Sequence, residues 1–149
     1  MAALVDLNDP MTLSSDLLES IGKLAMDSAP SDWQYITIIV TGMANSTTVR
    51  AEAVTPRGSQ SLSLTATGAR NAHKLRKAMY TDGAGTWYRA TMTIDSQRHL
   101  KADFDYYGKP YDKSEEGKDF IRDLLLQDHA KYPRTPDLLP EWHPSQQGR

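Results

Sequence analysis

The sequence predicts an α+β fold in which an antiparallel sheet of four to five strands is flanked by an N-terminal, a middle and a C-terminal helix. Residues 35–40 and 47–54 are rich in β-branched side chains and lie close together in sequence, as strands of one meander do. Residues 87–107 alternate between apolar and polar side chains around a polar turn, which is typical of a hairpin with one buried face. Apolar residues recur at helical spacing in three other segments, which completes the fold class.

The first helix follows a loose start that ends near Pro10. Thr12 or Ser14 can cap it, and it is expected to end at about Ala29, before Pro30. The run at residues 35–40 is too continuously apolar for an edge strand and predicts a central one. Turns at residues 42–46 and 55–58 separate it from strands at residues 47–54 and 60–66. The apolar stripe of the first helix comprises Leu17, Leu18, Ile21, Leu24 and Ala25.

A second helix is predicted at residues 69–80, and a flexible connection at residues 81–85 leads from it into the hairpin. Asp112 or Ser114 can cap the third helix. Four prolines prevent a long helix in the tail beyond Tyr132, and Trp142 is expected to dock that tail on the sheet or the third helix. The predicted buried stripe of the third helix is Phe120, Ile121, Leu124 and Leu125.

The hairpin has a register that its apolar face dictates. Opposed residues of antiparallel strands share a face, so Ile94 must lie opposite Leu100 or a similar residue. This implies a loop with an odd number of residues, most simply residues 96–98. The polar face therefore carries Trp, Arg and Tyr beside two carboxylates, and because these three residue types are enriched in interfaces it predicts a docking surface. The predicted opposed pairs are Arg89 with Asp105, Thr91 with Asp103, Thr93 with Lys101, and Trp87 with Tyr107.

Length and composition bound the class of protein. At 149 residues we expect a single domain over residues 1–149, with about residues 1–10 and 145–149 flexible. The net charge of -2 provides no global positive field for a polyanion, and the absence of cysteine excludes disulfides and thiolate chemistry. No segment approaches the ~18 apolar residues of a membrane span and the first residues do not resemble a secretion signal, so the expected location is the cytoplasm.

Two alternative functions can be formulated from single residues. Asp103 and Asp105 share a strand face and, with His99, would form the acid/base group of a small hydrolase-type enzyme. Acids on a solvated strand face are ordinary, however, and an exposed pair of Arg89 with Asp105 is worth only ~0–1 kcal/mol. The four histidines have no metal-binding spacing, and no glycine-rich phosphate loop is present, so no metal and no cofactor are expected.

The other alternative is a nucleic-acid-binding module that uses the basic helix at residues 69–80. The basic run of that helix would contact phosphates and comprises Arg70, His73, Lys74, Arg76 and Lys77, with Arg70, Lys74 and Lys77 on one side of the helix. A solvated helix face explains the same pattern, and the aromatic side chains on which single strands stack are missing from it.

Short segments that follow one another in a fixed order resemble the YezG-like immunity proteins. The resemblance covers residues 85–142, whereas residues 1–80 share only the order of helix, strands and helix. Members usually carry a glycine in the hairpin turn, where this chain has Ser96-Gln-Arg-His99. The segments are Gly85-Thr-Trp87, Thr93-Ile-Asp95, Asp103-Phe-Asp-Tyr106, Tyr132-Pro-Arg134 and Pro140-Glu-Trp142.

This resemblance implies an antitoxin of a polymorphic toxin system, used in interbacterial competition. Such a protein is not an enzyme and has no catalytic residues; it binds the C-terminal domain of a cognate secreted toxin and occludes or distorts its active site. The acids at Asp95, Asp103 and Asp105 would suit the basic cleft of a nuclease, while toxins that consume NAD or modify proteins stay open, as does the oligomeric state. The expected partner-binding residues are Trp87, Arg89, Asp95, Asp103, Asp105, Tyr107 and Tyr111.

Overall fold

The computed structural model describes residues 2–6, 13–110 and 118–146, and it confirms the α+β fold with an antiparallel sheet and three helices. The sheet order is β1-β6-β5-β2-β3-β4 and every neighbouring pair is antiparallel, so β2 is central as predicted. The elements are β1 (Ala2–Asp6), α1 (Leu13–Ser28), β2 (Tyr35–Met43), β3 (Ser46–Thr55), β4 (Gly58–Leu62), α2 (Thr65–Ala78), β5 (Arg89–Ile94), β6 (His99–Asp105), α3 (Lys118–Lys131) and the 3-10 turns Pro136–Leu138 and Pro144–Gln146.

Both ends of the chain are more structured than the sequence predicts. Ala2–Asp6 form an additional edge strand, because pairing with β6 gives partners to backbone groups that would otherwise stand unpaired at the edge of the sheet. Pro144–Gln146 form a short helical turn where a flexible end was expected. The rest of the two segments predicted to be flexible, residues 1, 7–10 and 147–149, lies outside the described residues.

The main core lies between the sheet and the helices α1 and α2. The stripe predicted for α1 is confirmed, with Ile21 and Ala25 fully buried. On the sheet, the buried positions alternate with exposed or half-buried ones, except at the end of β2, where residues 40–43 are all buried. Away from that end, one face of the sheet is covered and the other is not. The sheet residues of this core are Ile36, Ile38, Val40, Ala51, Ala53, Ala90, Met92, Ile94, Leu100, Ala102 and Phe104.

A second, smaller core joins α3 and the tail to the end of the β2–β3 hairpin. It contains Met43, Ala44, Tyr88, Leu124 and Leu125, with Ile121 and Trp142 packed against it. The predicted docking of Trp142 is confirmed, since its Nε1 donates to the Tyr107 carbonyl oxygen at 2.7 Å. The prediction that Phe120 is buried is wrong: it is 65% exposed, because the buried stripe of α3 is centred about 90° around the helix from it.

The predicted hairpin register is confirmed from Arg89 opposite Asp105 to Ile94 opposite Leu100. Asp95 fixes the loop: its carboxylate accepts the N–H groups of Gln97 and His99, both at 2.9 Å. Arg98 has a φ of 66°, in the left-handed region that favours glycine, as three-residue hairpin loops require at this position. The loop therefore closes without the glycine that the resembling family usually carries there.

Candidate partner-binding surface

The face of the sheet that α1 and α2 leave uncovered is the candidate binding surface, and we call it the open face. Ile39 lies at its centre, between Arg50 of β3 and Thr91 of β5, and it remains half-exposed although β2 is a central strand. An open hollow of about 580 Å³ lies beside it, towards β3 and β4. Further residues of the open face are Tyr35, Thr37, Glu52, Arg89, Thr93, Lys101, Asp103 and Asp105.

Charges of both signs alternate on the open face. Arg50 precedes Glu52 on β3, and Lys101 precedes Asp103 on β6, with each pair on the same face of its strand. The face therefore does not present the uniformly negative strip that would imitate nucleic acid. A partner with an equally mixed pattern of charges is the better complement.

At one end of the open face, Arg89 and Asp105 have separate structural roles. Arg89 is half-buried and one terminal nitrogen donates to the Pro110 carbonyl at 2.7 Å, so it does not form the predicted ion pair with Asp105. The Asp105 carboxylate instead accepts the N–H groups of Tyr107 (3.1 Å) and Gly108 (2.8 Å), which turns the chain after β6. Asp103 and Tyr107 remain accessible to a binding partner, because Asp103 is exposed and Tyr107 is 55% exposed.

Asp95 lies at the opposite end of the hairpin from Asp105. The backbone hydrogen bonds from His99 and Gln97 lower the pKa of the Asp95 carboxyl despite a smaller opposing effect of desolvation, and His99 Nδ1 lies 3.5 Å from it. His99 begins β6 and Asp105 ends it, so the two are separated by about 20 Å at ~3.3 Å per residue. The structure therefore does not bring His99 together with Asp105 in one acid/base group.

Trp87 does not belong to the surface, so that part of the prediction is wrong. Its side chain is fully buried in the main core, 5.7 Å from the Phe104 ring, whereas Tyr88 turns into the second core. The strand begins only at Arg89, so the alternation that placed Trp87 opposite Tyr107 does not extend this far. Tyr111, the remaining predicted residue, lies outside the described residues.

Behind the open face, a buried ion pair of Arg76 with Asp128 holds α2 and α3 together. The expectation that Arg76 contacts phosphates is therefore wrong. Arg76 is 1% exposed; two of its nitrogens contact the Asp128 carboxylate oxygens at 2.5 and 2.9 Å, and its Nε donates to the Trp87 carbonyl at 2.6 Å. Asp128 also accepts the Ala44 N–H at 2.6 Å. This network positions the β2–β3 turn and the start of β5 against α3.

The tail is fixed by a second buried arginine, Arg134. It donates to the carbonyl oxygens of Thr86 (2.9 Å) and Leu138 (3.1 Å), and its guanidinium carbon lies 4.7 Å from the centre of the Tyr88 ring. A Cβ on Gly85, which has a φ of 71°, would approach the Arg134 side chain to 2.7 Å. Gly85 and Arg134 come from two of the segments that carry the family resemblance, and they are in contact here.

His143 lies in the same region and is fully buried. Its Nδ1 accepts the Ser145 N–H at 3.1 Å, which places the proton of the neutral ring on Nε2. Burial lowers the pKa of His143 to about 4, with further lowering from His129 and Arg134, while Asp128 and the Leu125 carbonyl act in the opposite direction. The tail is therefore docked around a neutral imidazole.

The low pKa of His143 predicts that the folded protein loses stability in acid. The unfolded chain binds a proton at His143 near pH 6.5 and the folded protein only near pH 4, so unfolding takes up a proton between these values. We expect the free energy of unfolding to fall between pH 6.5 and pH 4, by up to about 3 kcal/mol from this group, and the group to add no pH dependence above 6.5.

Urea unfolding across this pH range, with His143→Asn as the comparison, provides the measurement. Asparagine keeps an acceptor near the position of Nδ1 and does not titrate. The pH dependence of stability that comes from the aspartate and glutamate side chains is therefore the same in both proteins. Parallel stability curves for the two proteins would contradict the assignment.

No protein-family model matches the sequence, and no curated protein matches it either. Within residues 2–6, 13–110 and 118–146, no group of three or more histidine and acidic side chains is placed to hold a metal ion. None of the helices that the structure describes is long and apolar enough to cross a membrane.

Proposed function

We propose that this protein is an immunity protein that binds a cognate secreted bacterial toxin domain and neutralises it by occluding the toxin's active site. The observation that carries the proposal is the open face. A central strand of a six-stranded sheet keeps Ile39 half-exposed there, among arginine, lysine, acidic and threonine side chains. The resemblance of residues 85–142 to the YezG-like immunity proteins supports the same reading.

The open face has the properties of a preformed interface. Strand pairing on both sides of β2 fixes its backbone, so little conformational entropy is lost when a partner binds. Tyr35, on the open face, is 41% exposed, and Tyr107, which follows β6 and lies beside Arg134, is 55% exposed. Tyrosine is among the residues that contribute most to interface energy. Asp103 and Lys101 add charges that set the orientation of a partner.

The proposal predicts that Asp103→Arg combined with Tyr107→Ala weakens the complex by about 30- to 900-fold, since two contact residues of this kind each contribute about 1–2 kcal/mol. The partner for the experiment is the toxin domain encoded by the reading frame next to that of this protein, with affinity measured by calorimetry. Asp105 is left unchanged because it holds the turn after β6.

Asp27→Arg provides the matched control, because it makes the same change in charge at an exposed position of α1, the helix on the covered side of the sheet. It is expected to leave the affinity unchanged. Equal affinity for the double variant and the unmodified protein would move the interface away from this end of the open face. If that toxin domain forms no complex with the unmodified protein and cells gain no protection, the proposed function itself fails.

A further inference from the structure

Cations from two helices meet on a side of the molecule away from the open face. Arg70, Lys74 and Lys77 are exposed on α2, which carries no acidic residue along its whole length. Lys131 is exposed at the end of α3. We call these four residues the basic surface.

The β2–β3 hairpin brings the two helices together at this surface. Lys131 Nζ donates to the Asn45 side-chain oxygen at 2.6 Å, and His73 Nδ1 lies 3.3 Å from the Thr47 hydroxyl. Asn45 and Thr47 are two residues apart, so α2 and the end of α3 approach the same end of the hairpin. The pKa of His73 is lowered by burial and then by the neighbouring cations, of which Lys131 has the largest effect, so the local potential is positive.

Among the residues that the structure describes, no carboxylate forms an ion pair with these cations. The ion pairs in the described part of the chain are Lys23 with Glu19, Arg57 with Asp32, Arg76 with Asp128 and His99 with Asp95, and none includes a residue of the basic surface. With a net charge of -2 for the whole chain, this cluster is a local concentration of positive charge, which favours an anionic ligand.

We propose that the basic surface binds the phosphate backbone of double-stranded nucleic acid, without sequence preference and independently of the proposed function. Arg70, Lys74 and Lys77 form a line of about 10 Å at a rise of ~1.5 Å per residue, which suits the high linear charge density of a duplex. The segment Thr65–Ala78 contains no Phe, Tyr or Trp, so it offers no platform on which the bases of a single strand would stack.

Fluorescence anisotropy with a labelled DNA duplex of about 20 base pairs tests the proposal over a series of salt concentrations. Four phosphate contacts predict a slope of log K against log salt concentration of about -3 to -4. Lys77→Gln with Lys131→Gln is expected to reduce the magnitude of that slope by about 2 and the affinity at the lowest salt by at least about tenfold.

Arg98→Gln with Arg122→Gln removes the same charge from exposed positions outside the basic surface and is expected to leave the slope unchanged. No anisotropy change at low salt, an equal effect of this control pair, or a single strand that binds as tightly as the duplex would each overturn the proposal. Because no toxin is present in the assay, these outcomes leave the proposed immunity function untouched.

Discussion

Replacing Asp128 by alanine is expected to lower the free energy of unfolding by about 3–5 kcal/mol. The substitution leaves the Arg76 guanidinium, 1% exposed, without its counter-charge in a site that water does not reach. It also removes the acceptor of the Ala44 N–H at the β2–β3 turn. Urea unfolding measures the loss, and the m-value shows whether the variant still unfolds from a compact state.

Two comparisons separate the cost of an unpaired charge from the worth of the ion pair. Arg76→Met with Asp128→Leu removes both charges and is expected to recover most of the lost stability, because the pair is expensive to bury in the first place. Asp32→Ala breaks the exposed pair with Arg57 and is expected to cost less than about 1 kcal/mol. A loss for Asp128→Ala as small as that for Asp32→Ala would show that the network is not buried as described.

The sequence predicts the β5–β6 hairpin well because its alternation has one consistent physical cause. Every second residue from Ala90 to Ile94 is buried, so only one register keeps the apolar faces together. The prediction fails at Trp87, where the strand has not yet begun and neighbouring residues enter two different cores. Periodicity carries no information about a segment that passes from one packing layer to another.

The buried pair of Arg76 and Asp128 could not be predicted from the sequence, for a different reason. Arginine and aspartate are almost never fully buried unless they are paired, and the separation of 52 positions between these two hides the pairing from any local pattern. One signal was present, because Arg76 follows Leu75 and lies four residues after Ala72, on the buried side of α2. The edge strand β1 was missed because a five-residue run gives little periodicity to read.

Only the β6 side of the candidate surface could be predicted from the sequence. The β6 side, with Asp103 and Asp105, follows from the hairpin register alone, whereas Ile39 with Arg50 and Glu52 requires the pairing of β2 with β3. Residues 35–40 contain so many apolar side chains that the sequence predicted a central strand, without indicating which of its faces is covered. The half-exposed Ile39 shows that the β2 strand is central in the sheet and yet uncovered on one side.

Trp87→Ala is expected to lower the free energy of unfolding by about 3–5 kcal/mol, as truncation of a large aromatic residue in a well-packed core does. The Trp87 side chain is fully buried, packs against Phe104 and directs its Nε1 to the Met79 sulfur at 3.2 Å. Its carbonyl also accepts from Arg76, so a shift of the backbone at this point would strain the buried network. Chemical unfolding of the purified variant measures the effect.

Tyr107→Ala provides the contrast, because that side chain is 55% exposed and is expected to cost less than about 1 kcal/mol in stability while weakening the toxin complex. Trp87→Ala should show the opposite pattern below its unfolding temperature, with stability lost and the affinity of the folded fraction largely kept. A Trp87→Ala protein as stable as the unmodified one, but unable to bind, would return Trp87 to the interface and contradict its place in the core.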